Sequence, residues 1–160
     1  MAVEIERKFR LEGEPDWISD CDSTRIEQGY LAIEGAGGGE VRLRRRDGET
    51  LLTVKLGSGE IRTEEEIALE PEQFEALWPL TEGRRVEKIR HLVPAETGEI
   101  EVDVFDGELG GMITAEMELD SEAHADAFDP PEWLGREVTG DDRYANETLA
   151  AHGLPEEGER

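Results

Sequence analysis

The chain holds one cysteine, three histidines and, for all its charge, only three lysines in 160 residues. Cys21 alone excludes an intramolecular disulfide and a thiolate metal cluster, and its neighbours Asp20, Asp22 and Ser23 mark it as a loop cysteine. His91, His124 and His152 are scattered without zinc-ligand spacing and read as incidental, His91 with its ring on the exterior. No apolar run approaches the roughly 20 residues of a membrane-spanning helix. No basic-then-apolar leader precedes the first patterned strand, so a cytoplasmic protein without a membrane partner is expected. Positive charge is also scarce: 17 basic against 41 acidic residues leave a formal net charge of −24. That balance excludes nonspecific binding to nucleic acid or to an anionic membrane, because both need a basic face. An acid-rich, lysine-poor composition resembles that of proteins adapted to high salt.

What the chain does have is alternation. Residues 3–9, VEIERKF, place Val3, Ile5 and Phe9 on one face of a strand and Glu4, Glu6 and Lys8 on the other. EQGYLAI (27–33), VRLRRR (41–46), LLTVKLG (51–57), EIRTEEEIAL (60–69), VEKIRHLV (86–93), GEIEVDVFDG (98–107) and GGMITAEMEL (110–119) are extended segments separated by turn signals rich in glycine. The run GAGGGE (35–40) lacks the lysine and hydroxyl residue of a phosphate-binding loop and reads as a hairpin connection. EPDWISD (14–20) is a short helix or turn. PEQFEALWPL (71–80) has Pro71 at a helix start, SEAHADAF (121–128) is capped by Ser121, and YANETLAAHG (144–153) ends at Gly153. The expected fold is therefore α+β but mainly β. About eight antiparallel strands close or nearly close, with a few flanking helices, in one domain over 1–153 followed by an acidic tail, 154–160.

The polar faces of these strands carry Glu4, Glu6, Lys8, Arg42, Arg44, Lys55, Arg62, Glu64, Glu66, Lys88, Arg90, Glu101, Asp103, Glu116 and Glu118. For any one strand an ordinary solvated face explains the pattern. Together the faces hold acids and bases rather than the usual Thr, Ser, Gln and Asn, and all three lysines fall on them. Burying so many charges without a ligand is unfavourable. The cations require polyanionic oxygens and the carboxylates a hard divalent metal, which describes a site for a metal-bound polyphosphate.

The ordered motifs carry a family resemblance. They are Glu4-x-Glu6-x-Lys8, QGYL (28–31), Arg42-x-Arg44, Lys55, Arg62-x-Glu64-x-Glu66, Lys88-x-Arg90, EVDVFDG (101–107), Glu116-x-Glu118 and EVTGDDRYAN (137–146). In this order they resemble the CYTH superfamily, the triphosphate tunnel metalloenzymes, over nearly the whole chain. The resemblance implies an eight-stranded antiparallel β-barrel tunnel, open at both ends, that hydrolyses or cyclises triphosphates with Mg²⁺ or Mn²⁺. It implies that Glu4, Glu6, Glu116 and Glu118 hold the metal, with Glu64 and Glu66 as ligands of a second ion. Arg42, Arg44, Lys55, Arg62, Lys88 and Arg90 would bind phosphates, and Lys8 would touch substrate and form an acid/base pair with Tyr30. A neighbouring cation would lower the tyrosine's pKa for that role; packing at the tunnel wall is the alternative for Tyr30. Asp103 and Asp141 match family acids that either touch metal or orient tunnel cations, and Arg143, Tyr144 and Asn146 support the closing helix. The short length, ERKF, QGYL and TGDDRYAN look most like the bacterial inorganic tripolyphosphatases. Class IV adenylate cyclase and thiamine triphosphatase are the alternatives within the family, but no aromatic cluster for a nucleobase or thiamine ring is evident. A non-catalytic polyphosphate or nucleotide-triphosphate binding module is the alternative outside it. A monomer or homodimer is expected.

Overall fold

The computed structural model describes residues 5–33, 39–58, 61–96 and 98–155, with backbone alone at 57–58 and 61–62. Val3 and Glu4, and the end of the acidic tail, lie outside the described residues. Nine strands occur in chain order as β1 (Ile5–Leu11), β2 (Asp22–Ile33), β3 (Glu40–Arg46), β4 (Glu49–Ser58), β5 (Ile61–Ala68), β6 (Arg85–Ala95), β7 (Gly98–Asp106), β8 (Ile113–Leu119) and β9 (Arg136–Glu137). Three helices accompany them: α1 (Pro71–Leu77), α2 (Glu122–Ala127) and α3 (Asn146–His152). The expected turn near Trp17 is a 3-10 turn at Ile18–Asp20, and a second one at Trp78–Thr81 extends α1. Ser121 caps α2 by accepting a hydrogen bond from the His124 N–H, and α3 stops at Gly153, whose φ of 80° suits glycine. No helix among the described residues is long and apolar enough to cross a membrane.

All strands belong to one antiparallel sheet in the order β5-β4-β3-β2-β6-β7-β8-β1-β9. The mainly β architecture with flanking helices is as expected; the closure is corrected. A ninth, two-residue strand is present, and β5 and β9 are the two edges, with no pairing between them among the described residues. The reason is that β9 takes the free edge of β1. It pairs with Phe9 and Arg10, and the Val138 N–H donates to the Lys8 carbonyl at 2.8 Å, so β1 has no open ladder to offer β5 there. The β5 edge instead carries Glu64, Glu65 and Glu66 in exposed positions, a charged edge that resists further strand addition.

Alternation assigns the two faces. On β8, Ile113, Ala115, Met117 and Leu119 are buried in a first core with Phe9, Leu11, Val93, Ile100 and Val102, on the face that α2 covers. Trp17 and Trp133 meet edge to face at 5.0 Å beside it. The opposite face carries Thr114, Glu116 and Glu118 of β8 and the charged residues of the other strands. At one end of that face a second core forms from Tyr30, Val86, Phe105, Met112, Tyr144 and Leu149, drawing α3 against β2 and β6. On the other face of β2, Gly29 permits the close approach of the turn at Trp78–Thr81: a Cβ on it would lie 2.5 Å from Thr81 Oγ1.

Candidate functional site

Register puts Lys8, Arg10, Arg42, Arg44, Arg46, Lys55, Lys88 and Arg90 on one face, nearly half of the chain's 17 basic residues. The pairs that carry this are Lys8↔Glu116, Glu116↔Glu101, Asp103↔Arg90, Arg90↔Thr24, Gln28↔Arg44, Tyr30↔Arg42, Thr53↔Glu66 and Lys55↔Glu64. The face is curled. Lys8 Nζ donates to the Tyr144 carbonyl at 2.9 Å, and Lys88 Nζ lies 3.4 Å from Asn146 Oδ1. Those lysines stand on β1 and β6, three strands apart, which is about 14 Å in a flat sheet. Arg10 also donates to the Tyr144 hydroxyl at 3.1 Å. The C-terminal segment thus fills one end of the charged face, where a tunnel open at both ends was implied.

At the other end Glu6 faces Glu118, next to Glu116 opposite Lys8. Glu6 is pushed up to about 7 by a hydrogen bond shared with Glu116, by desolvation and by repulsion from Glu116 and Glu118, with Lys8 opposing. Crowded carboxylates repel one another, and an all-oxygen donor set suits a hard divalent ion. Among the described residues no group of three or more acids, histidines or cysteines is already closed up as a metal site. Glu4, the fourth carboxylate expected there, lies outside the described residues.

Between the ends are the cations. The Nε atoms of Arg42 and Arg44 are buried and have no hydrogen-bond partner. Burial, together with Arg42, Arg90 and Arg46, pushes the Arg44 guanidinium down. Buried arginine N–H donors left without an acceptor call for an anionic oxygen. Lys55 stands between Glu40 and Glu64 in register. Arg62 on β5 pairs with Gly57 on β4 through its backbone, and its side chain is outside the described set. Glu64 and Glu66 sit exposed on that edge strand, Glu66 close enough for its charge to support Arg44.

Asp103 orients cations. It accepts from Arg90 Nε at 2.8 Å and Arg90 Nη2 at 3.0 Å, and pairs with Lys88 Nζ at 2.8 Å. Its burial would raise its pKa, but Lys88 and Arg90 hold it at about 2. Burial pushes Lys88 down against the pull of Asp103, whereas Arg90 is held up in spite of burial by Asp103 and by Glu101 at 2.6 Å. Asp141 is spent on Arg143, 2.6 Å away, and on the turn before α3.

Tyr30 is set in the wall of this face. It is fully buried in the second core, accepts from Gln28 Nε2 at 2.8 Å, and burial pushes its hydroxyl up to about 12. Arg42 does act to lower it, as expected of a neighbouring cation, but burial and the charge of Glu40 outweigh that effect. His91 does point away from the charged face, yet it is buried there with Nδ1 unpartnered. Sequence reasoning missed Glu40, and it gave Asn146 only as support for the closing helix, whereas its Oδ1 lies 3.4 Å from Lys88 Nζ. Glu40 sits two residues before Arg42, the spacing that could have found it, but it follows a glycine run that reads as a turn. A cavity of about 1050 Å³ lined by Val93, Ile100, Leu119, Phe128 and Trp133 belongs to the other side of the sheet and reaches the strand ends at Pro94 and Glu118.

The described residues thus form a curled antiparallel sheet with clustered carboxylates at one end of its charged face and arginines beyond them. The chain belongs to the CYTH domain family, whose profile matches residues 2–152. It is 45% identical over 149 residues to an inorganic triphosphatase of Nitrosomonas europaea, covering 92% of this chain and 97% of that protein. It is 38% identical over 152 residues to an inorganic triphosphatase of Acetivibrio thermocellus, covering 93% and 94%. The solved structure of the inorganic triphosphatase NE1496 superposes with a TM-score of 0.81 at 42% identity, covering 97% of this chain and 99% of that one.

Proposed function

We propose that this chain hydrolyses inorganic tripolyphosphate to diphosphate and phosphate in a reaction that depends on Mg²⁺ or Mn²⁺. The observation that carries the reading is the pair of buried arginine Nε atoms without a hydrogen-bond partner, on Arg42 and Arg44, on the same face as the crowded carboxylates Glu6, Glu116 and Glu118. Both relatives named above are inorganic triphosphatases over nearly their full length.

Arg42, Arg44, Lys55 and Arg62 bind phosphoryl oxygens, the arginines through two parallel N–H donors. Lys88 and Arg90 add charge from a fixed position, because Asp103 holds both. Lys8, tied to the Tyr144 carbonyl, presents its ammonium to the substrate from the closed end of the face. Tyr30, whose hydroxyl burial pushes up to about 12, stands opposite Arg42 in register and accepts from Gln28. Glu6, Glu116 and Glu118 with Glu4 would hold the divalent ion, and Glu64 and Glu66 a second. Bound there, such an ion supplies positive charge against the phosphoryl oxygens as the bridging bond breaks. The site works in a cytoplasmic enzyme, as monomer or homodimer.

One substrate panel tests the reading. Phosphate release is measured from tripolyphosphate, thiamine triphosphate and ATP across Mg²⁺ and Mn²⁺ concentrations, with cyclic AMP formation from ATP followed in parallel. Tripolyphosphate is expected to give the highest kcat/KM, only with metal present. Cyclic AMP as the main product would instead make the chain a cyclase, and tight binding without turnover of any substrate would make it a binding module.

A further inference from the structure

The stretch EVTG (137–140) opens the last of the ordered motifs, and the charged face uses none of its side chains. It runs beside Lys8. Strand β9 pairs with Phe9 and Arg10, and the Val138 N–H donates to the Lys8 carbonyl at 2.8 Å. A regular antiparallel pair would also place the Lys8 N–H on the Val138 carbonyl. That carbonyl is taken. It accepts from the Asp141 N–H at 3.0 Å, closing a turn over 138–141 in which Gly140 has a φ of 76°. The turn leads the chain off the β1 edge and on to Tyr144, whose carbonyl accepts from Lys8 Nζ.

Thr139 supplies the acceptor that the turn removes. Its Oγ1 accepts from the Lys8 N–H at 3.0 Å. A hydroxyl has one proton to give, and its nearer acceptor is Glu137 Oε2 at 2.6 Å, with the Lys8 carbonyl at 3.4 Å. Donation to Glu137 leaves the lone pairs of Oγ1 for Lys8. Glu137 is itself fixed by Arg7, which donates to it from Nε at 2.9 Å and from Nη2 at 2.7 Å. Arg7 Nη1 donates in turn to the carbonyls of Ala125 and Phe128 at the end of α2, both at 2.9 Å. A relay thus runs from α2 through Arg7, Glu137 and Thr139 to the backbone of Lys8. Arg7 and Lys8 are neighbours on β1 and point to opposite faces, and Glu137 stands opposite Phe9 of the first core. Arg7 and Glu137 therefore stay off the charged face, and their influence on turnover passes through Lys8.

We propose that Thr139 is a positioning residue for Lys8. Its hydroxyl, aligned by Glu137 and Arg7, fixes the Lys8 backbone so that the ammonium stays aimed along the charged face. The inference rests on the proposed triphosphatase reading, in which Lys8 touches the phosphate chain. Residues 138–144 hold Lys8 at its N–H, its carbonyl and its Nζ. The first of these contacts is made by a side chain and the other two by backbone, so substitution at Thr139 releases the first alone.

The test is Thr139→Val, which keeps the shape of an exposed residue and removes the hydroxyl, with Thr139→Ser beside it. The chain has only three lysines, so labelling with ¹⁵N-lysine gives backbone amide signals for Lys8, Lys55 and Lys88 alone. These signals are recorded for each protein, with kcat and KM for tripolyphosphate at saturating Mg²⁺ and a melting curve. In Thr139→Val the Lys8 signal is expected to shift while those of Lys55 and Lys88 stay in place. Its kcat/KM falls by roughly ten- to a hundredfold, the scale of a small misplacement of a group that touches substrate, with the melting temperature near wild type. Serine restores both the signal and kcat/KM. A shifted Lys8 signal with wild-type kcat and KM overturns the proposal, because the hydrogen bond then positions nothing that turnover needs. An unmoved Lys8 signal also overturns it. So does a loss of activity in which all the lysine signals move and the melting temperature falls, since Thr139 then serves the fold at large. No phosphate release by the wild type overturns the triphosphatase reading itself, and the role of Thr139 with it, whatever the Lys8 signal does.

Discussion

Two carboxylates on one face show how surroundings set the work of a residue. Glu6, crowded by Glu116 and Glu118, is pushed up to about 7, while Asp103, held between Lys88 and Arg90, is brought down to about 2. The first is crowded by charge of its own sign and the second already has two cations. Asp103→Asn leaves Lys88 buried without its counter-charge and is expected to destabilise the fold by about 3–5 kcal/mol, read from urea denaturation. Because the folded pKa of Asp103 lies below its unfolded value of about 3.9, its stabilising contribution is present above that pH. It is lost as pH falls toward 2. The variant lacks this part of the acid dependence, and an unchanged pH profile of stability would count against the assignment. At this scale the sequence announces which residues face one another, since a period of two makes Arg42, Arg44, Lys88 and Arg90 share a side. It does not announce distances. Nothing in EVDVFDG separates a metal ligand from a clamp on Arg90, and nothing in QGYL says that Tyr30 is covered by a helix more than a hundred residues later.

At the scale of elements, the helix α3 is short but sets the shape of the site. It supplies Leu149 and Ala150 to the second core, follows Tyr144 directly and brings Asn146 to Lys88. The apolar spacing of residues 144–153 predicts a helix that ends at Gly153, and one forms; where it docks depends on long-range packing that a local pattern does not encode. The same limit explains β9. Arg136–Glu137 is too short to show alternation, yet it takes the edge of β1 that a closed barrel would use. Leu149→Ala removes a side chain that is 2% exposed and is expected to destabilise the fold by about 2–5 kcal/mol. It should also lower kcat/KM for tripolyphosphate, since Lys8 and Lys88 lose the segment that holds them. Unchanged kcat/KM in a destabilised Leu149→Ala protein would separate the helix from the site.

For the whole molecule the distribution of charge matters more than its sum. A net charge of −24 is spread over a chain whose basic residues are concentrated on one curled face. The composition alone, read without register, describes an acidic surface and no function. Register turns the same residues into a row of cations ending in a knot of carboxylates, and the match to the CYTH domain over residues 2–152 agrees with that reading. The central claim is that this face is a metal-dependent triphosphate site. Glu6→Ala tests it most directly, because Glu6 is exposed and its loss leaves both cores untouched. Phosphate release from tripolyphosphate is measured against Mg²⁺ concentration for wild type and variant, with melting curves alongside. The account predicts that turnover falls to background at every Mg²⁺ concentration while the melting temperature stays within a few degrees of wild type. Wild-type turnover with an unchanged Mg²⁺ dependence in Glu6→Ala would contradict it.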